Sequence, residues 1–334
     1  MMATETQRYR PYRSSLLSSD QLRDLNRLRP ARAVCDTLLL WLQIIAAWAT
    51  VALWPSWWVA ALAIPVIGTR YYALYIIGHD GLHRRLFRDV KANDLWNDAA
   101  IIGAIGAITR LNRANHMRHH ATLALPSDPD RYKYIAANKR TKLSYAFALS
   151  GLPYVLRAVG NVFGGRTTAE TPDRAQGHTV RDLALLGLWQ VALIGGLSAA
   201  IGWWAYPVLW LLPVYVFTYA ADIVRVFFEH SMPGGDAQAD TTMRLITYTS
   251  GPIERRFFAP MNMNFHTAHH LWPSIPYYNL PEADRLIRQS PLCDGGLVWR
   301  GSYLAYMWEY ARILPWLATG IGRSGAGRQE IGAP

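Results

Sequence analysis

The sequence holds two cysteines, Cys35 and Cys293, in 334 residues. Two thiols exclude a disulfide framework, a four-cysteine zinc site and an iron–sulfur cluster held by this chain alone, and both read as ordinary reduced thiols. Charged residues are also few, at 17%, and acidic ones fewer still: 23 Asp and Glu against 34 Lys and Arg, a formal net charge of +11. No nucleic-acid motif accompanies that charge, so nucleic acid is excluded as the partner. The basic residues are dispersed or flank apolar runs, which suits the cytosolic border of a membrane protein and the docking of an acidic partner. Flavin, nicotinamide and haem fingerprints are missing too. His230-Ser231-Met232-Pro233-Gly234-Gly235 comes near a b-type haem motif, but two residues separate the histidine from Pro-Gly-Gly.

What is present is apolar and uneven. Half of the chain (51%) is hydrophobic, and those residues gather in long runs, the pattern of membrane spans. Four spans are expected, at about 37–54, 57–77, 183–204 and 208–228. Trp54-Pro55-Ser56-Trp57-Trp58 and Ala205-Tyr206-Pro207 read as short uncharged outer turns. Fourteen Trp and eighteen Tyr suit membrane–water boundaries. Residues 1–36 carry seven arginines from Arg8 to Arg32. By the positive-inside rule this end is cytosolic, and no cleavable signal is expected, since the first apolar run begins near Thr37. The segment 95–109 reads as a helix lying in or dipping into the membrane surface, 144–163 as a second interfacial helix, 164–177 as a loop and 320–334 as a disordered tail. The expected division is a cytosolic N-terminal segment over 1–36, a membrane domain over 37–300, and a C-terminal helix and tail over 301–334.

Against this background the ten histidines are conspicuous. Nine fall into groups: His79 and His83 as HxxxH; His116, His119 and His120 as HxxHH; His230 alone at the end of the fourth span; and His266, His269 and His270 as a second HxxHH. Residues at i, i+3 and i+4 share one face of a helix, so each cluster presents its imidazoles together. Neutral imidazole suits zinc, copper, iron and nickel. All four groups fall on the side assigned to the cytosol. One zinc-like ion takes about four ligands, so this set points to two metal ions. Asn262, four residues before His266, adds an amide to the same face. His178, in the loop before the third span, reads as a solvated surface residue. A zinc hydrolase would leave six of these histidines without a task, and a metal transporter would place its ligands near the bilayer midplane.

The order HxxxH, HxxHH, HxxHH, with its large gap between the second and third boxes, resembles the membrane fatty acid desaturase family. Asp128-Pro129-Asp130 after the second box, Arg225 with Glu229-His230 at the end of the fourth span, and NMNFHTAHHLWPSIPYYNLP from Asn262 to Pro281 are similar as well. The resemblance covers roughly residues 37–290. It implies an all-α integral membrane protein, four transmembrane helices with a cytosolic helical cap carrying a di-metal histidine site. It further implies two iron ions, with dioxygen as co-substrate, and His79, His83, His116, His119, His120, His230, His266, His269 and His270 as ligands. Asn262 would approach the metal through water, while Asp80 and Glu229 would orient imidazoles from behind. Arg225 either pairs with Glu229 or snorkels to the interface. Arg70, inside the second span, either snorkels or serves function. The expected activity is oxygen-dependent desaturation of an acyl chain in a fatty acid or lipid drawn from the bilayer. Hydroxylation or carotenoid ketolation on the same scaffold is the alternative. Electrons would come from an external ferredoxin-like protein or b-type cytochrome, and the expected location is a bacterial inner membrane with both termini cytosolic.

Overall fold

The computed structural model describes residues 10–123, 125–134, 140–153, 155–156, 177–231, 245–291, 293 and 297–316. The loop expected over 164–177 and the tail over 320–334 lie almost wholly outside those residues.

Four helices are long and apolar enough to cross a membrane. After two short N-terminal helices, α1 (Arg10–Ser15) and α2 (Ser19–Leu25), come α3 (Pro30–Leu53) and α4 (Trp57–Leu82). The second pair is α9 (Val180–Ala200) and α10 (Pro207–His230), the latter with wide π-type turns around Pro213. Pro30 stands in the first turn of α3, where its missing N–H costs nothing. α3 buries Ala33, Leu40, Ile44 and Val51, yet leaves Leu38, Leu39, Leu42 and Ile45 exposed. In water that face would be a liability; in hydrocarbon it is the correct surface. α4 is the central span, the most buried of the four, and α9 is the outermost.

The expected spans are all found, extended by several residues toward the cap. Trp54, Trp57, Trp58 and Trp203 are exposed at the two outer turns, as interfacial tryptophans should be. Others are not interfacial at all. Trp41 stacks on Trp189 at 5.3 Å and on Trp210 at 6.0 Å, and Tyr71 meets Trp210 edge-on at 4.8 Å. Their indole N–H groups find carbonyls: Trp41 donates to Ala100 O at 2.7 Å, Trp48 to Leu209 O at 3.1 Å and Trp189 to Ala99 O at 3.0 Å. An unpaired donor here would cost several kcal/mol in hydrocarbon, so these rings are helix-to-helix ties.

At one end of the spans sits a helical cap. It comprises α5 (Val90–Ala100), α6 (Thr109–Thr122), the single turn α7 (Arg131–Tyr134), α8 (Lys142–Leu149), α11 (Pro252–Phe258), α12 (His266–Leu271), α13 (Leu280–Gln289) and α14 (Tyr303–Ile313). The segment 95–109, expected as one surface helix, is three pieces: the end of α5, a 3-10 turn over Ile102–Ile105, and the start of α6. Gly106 breaks it with φ 79°, a left-handed conformation that glycine adopts freely. The described part of 144–163 is helical in α8 and again at 152–153 and 155–156, after a break at Gly151 with φ 75°. Two three-residue strands, β1 (Ile246–Tyr248) and β2 (Val298–Arg300), pair in parallel with Ile246 opposite Val298. They are the one departure from an all-helical reading among the described residues.

Candidate metal centre

The centre is built on the cap-side end of α4. The last carbonyls of a helix have no partner within it, and here side chains supply one. Asn97 Nδ2 donates to Gly78 O at 2.9 Å, Asn93 Nδ2 to Gly81 O at 2.9 Å and Arg113 Nε to Leu82 O at 2.7 Å. Asn93 and Asn97 are wholly buried. These bonds fix the turn that carries His79 and leads into His83. α6 brings His116, His119 and His120, and α12 brings His266, His269 and His270. His230 ends α10. The C-terminal end of α12 is capped from the N-terminal segment: Arg13 donates to Leu271 O at 2.7 Å and His270 O at 3.0 Å.

All nine grouped histidines meet. They form two sets able to hold metal: His79, His83, His116, His120 and His269 in one, and His119, His230 and His270 in the other. His266 joins the second set, its Nε2 lying 3.0 Å from that of His230. Each HxxHH box is therefore divided. In the second box the i and i+4 members, His116 and His120, face the first set while His119 turns to the other. In the third box His266 and His270 face the second set while His269 crosses to the first. His178 is exposed and takes no part.

The donor chemistry fits metal ions. His83 Nε2 lies 2.8 Å from His116 Nε2, which lies 3.0 Å from His120 Nε2, which lies 3.2 Å from His269 Nε2. A chain of neutral imidazoles cannot satisfy all these contacts with the one proton each ring owns. Ligands about 2.1 Å from one cation at right angles stand about 3.0 Å apart, so the spacing suits a shared ion. His79 Nδ1, His120 Nδ1 and His269 Nδ1 are buried without a hydrogen-bond partner among the described residues. Burial first, and then neighbouring charge, chiefly other histidines, holds His83, His116, His120, His266, His269 and His270 well below the ordinary histidine range. Neutral rings are the ones that bind metal.

His119 behaves differently. Burial pushes it down, but the charge and hydrogen bonds of Asp128 outweigh that and raise it. Asp128 reaches His119 Nδ1 at 3.0 and 3.2 Å and also accepts from the Tyr134 hydroxyl. Asp128 is thus the carboxylate that orients a histidine, the role expected of Asp80 and Glu229. Asp80 instead accepts the Tyr277 N–H at 2.7 Å and has no hydrogen bond to an imidazole among the described residues; adjacency in sequence to His79 pointed the wrong way. Glu229 lies 3.2 Å from His266 Nδ1, off hydrogen-bonding geometry, and accepts from Tyr303 Oη at 2.7 Å. Arg225 is buried and paired rather than snorkelling: it meets Glu229 at 2.6 Å, Asp222 at 2.8 Å and Tyr72 Oη at 3.1 Å. Asn262 adopts φ 66° and donates from Nδ2 to Tyr277 O at 3.2 Å. Tyr303 lies 74 residues from Glu229, and no local pattern could have linked them.

Four membrane-length helices, two of which end in a largely buried polyhistidine cluster, define a membrane-embedded protein with a histidine-built candidate metal site. The fatty acid desaturase family model matches residues 55–303, and the chain belongs to that family, which makes it a membrane oxidoreductase. It is 27% identical to the dihydrorhizobitoxine desaturase of Bradyrhizobium elkanii, over 74% of this chain and 73% of that one. It is 24% identical to the sn-1 acyl-lipid omega-3 desaturase (ferredoxin) of Nostoc sp. (strain 36), over 66% of this chain and 65% of that protein's length. The beta-carotene ketolase of Paracoccus sp. (strain N81106 / MBIC 01143) is 23% identical, over 71% of this chain and 88% of its own length.

Proposed function

We propose that this enzyme is a non-haem di-iron desaturase that removes two hydrogens from the acyl chain of a fatty acid or lipid. The observation that carries the reading is the meeting of nine histidines, seven of them buried, in two adjoining sets. His79, His83, His116, His120 and His269 would hold one iron, and His119, His230, His266 and His270 the other. Asn262 would reach the second ion through a water, its carbonyl oxygen being left over once Nδ2 has bonded Tyr277. Iron held this way supplies dioxygen reduction and attack on an unactivated C–H bond. The balance is one dioxygen, two electrons and two protons taken up, two hydrogens taken from the chain, and two waters released with the alkene.

The protein's own part is orientation and dryness. Asp128 fixes the His119 tautomer so that Nε2 faces the cluster, as carboxylate partners of metal-bound histidines do. Arg225, Glu229 and Tyr303 brace the side that carries His230 and His266. With no electron-carrying motif of its own, the chain needs an outside donor, a ferredoxin-like protein or b-type cytochrome, meeting a basic cap on the cytosolic side of a bacterial inner membrane. The similarity over most of the ketolase's length favours a second reading, oxygen insertion on the same metal pair.

Metal analysis and product mass on the detergent-purified protein test both readings. Two irons per chain, with lipid products lighter by two hydrogens under a reducing system and oxygen, is the expected result. Products heavier by oxygen select the second reading. A single zinc and no oxygen-dependent product overturns both.

A further inference from the structure

The helix α11 runs against α4 beside the metal centre, where Tyr72 Oη donates to Phe258 O at 2.8 Å. Its sequence is PIERRFF. The acid is engaged elsewhere: Glu254 accepts Ser302 Oγ at 2.7 Å and the Tyr303 N–H at 2.9 Å, and so fixes the start of α14. Arg255 and Arg256 have no carboxylate within ion-pairing distance among the described residues. Arg70 of α4 shares a cavity with them. Its hydrogen bonds go to two neutral oxygens, Gln43 Oε1 at 3.3 Å and Thr69 Oγ1 at 3.5 Å.

Arg70, Arg255 and Arg256 all line one cavity of about 260 Å³, whose walls include Leu40, Ala73 and Asn262. Snorkelling explains one arginine stretching to an interface. It does not explain three around one hollow while Glu254, on the same helix, is turned away to Ser302 and Tyr303, since like charges repel. The wall itself is strained: Met261 and Asn262 both have positive φ, 51° and 66°. Strain of this kind collects at ligand sites, and His266 follows four residues later. A guanidinium fork matches the oxygens of a carboxylate or phosphate.

We propose that this cavity binds the anionic head, carboxylate or phosphate, of the amphiphile whose chain is oxidised. The inference rests on the acyl-chain reading above and deepens it, because a neutral polyene has no group to place among three cations.

The test is direct binding to the full-length protein in detergent, with labelled palmitate and its methyl ester as probes. Wild type should bind palmitate about tenfold more tightly than the ester, the worth of one charge-assisted contact. The double variant Arg255→Gln, Arg256→Gln should lose that preference while keeping its melting temperature and metal content. Arg70→Gln should lose it too. No preference in wild type, or one that survives in the double variant, overturns the proposal. Displacement of palmitate by phosphatidylglycerol but not phosphatidylcholine supports a phosphate head, displacement by neither supports a free carboxylate, and equal displacement by both overturns the site. Binding needs no turnover. A protein with the preference and no oxygen-dependent product fails the oxidoreductase reading alone; one that desaturates without the preference fails only this inference.

Discussion

Among single residues, the carboxylates behind the histidines decide most. Asp128→Asn keeps the shape but removes the charge that holds His119 in one tautomer. We expect metal at the second set to weaken by about 10–100-fold, read by chelator competition, with little change in fold. Arg225→Leu is a different kind of loss. It leaves Asp222 and Glu229 buried without their cation, and removing one partner of a buried pair costs about 3–5 kcal/mol. Denaturant unfolding in detergent should show that loss, and a variant as stable as wild type would mean that the triad contributes nothing. The sequence made the histidine groups legible because helical spacing converts directly into a shared face. It did not make Asp128 legible as their partner: which carboxylate touches which ring depends on how α6 meets the turn before α7, and Asp80, the nearer in sequence, is bonded to a backbone amide of another segment.

Between elements, two glycines separate packing from ligand placement. A Cβ at Gly68 would stand 2.5 Å from the ring of Phe217, between two spans. A Cβ at Gly81 would stand 2.4 Å from Nδ2 of Asn97, which is bonded to Gly78 O and to Thr109. Each alanine variant should lose about 1–3 kcal/mol by overpacking. Gly68→Ala should keep its full metal content per folded molecule, whereas Gly81→Ala should lose metal, because it pushes on the turn carrying His79 and His83. Melting curves together with elemental analysis check the pair, and equal metal content in both would remove the link between α5 and the site. At this scale the spans were plain from hydropathy, since burial in lipid is a matter of composition. The pieces between 95 and 109 were not, because one glycine in a left-handed turn decides them, and neither was the pairing of β1 with β2, whose three-residue strands are too short to show alternation.

For the molecule as a whole, the histidines join segments that lie far apart in the sequence. α4, α6, α10 and α12 all end at the two sets. Ligands that bind the folded state alone stabilise it, so stripping metal with a chelator should lower Tm by several degrees, and adding back ferrous iron should restore it. An unchanged Tm would mean that the cap is held by its apolar core without help from the ions.

The division of each HxxHH box between the two sets bears on how the ions arrive. α6 and α12 each serve both positions, so seating the first ion orders most of the donors for the second. Loading should then be steep, with a Hill coefficient above one and few chains caught holding a single ion. By the same logic the loss of either ion loosens the grip on its neighbour, and the pair would be gained and lost together.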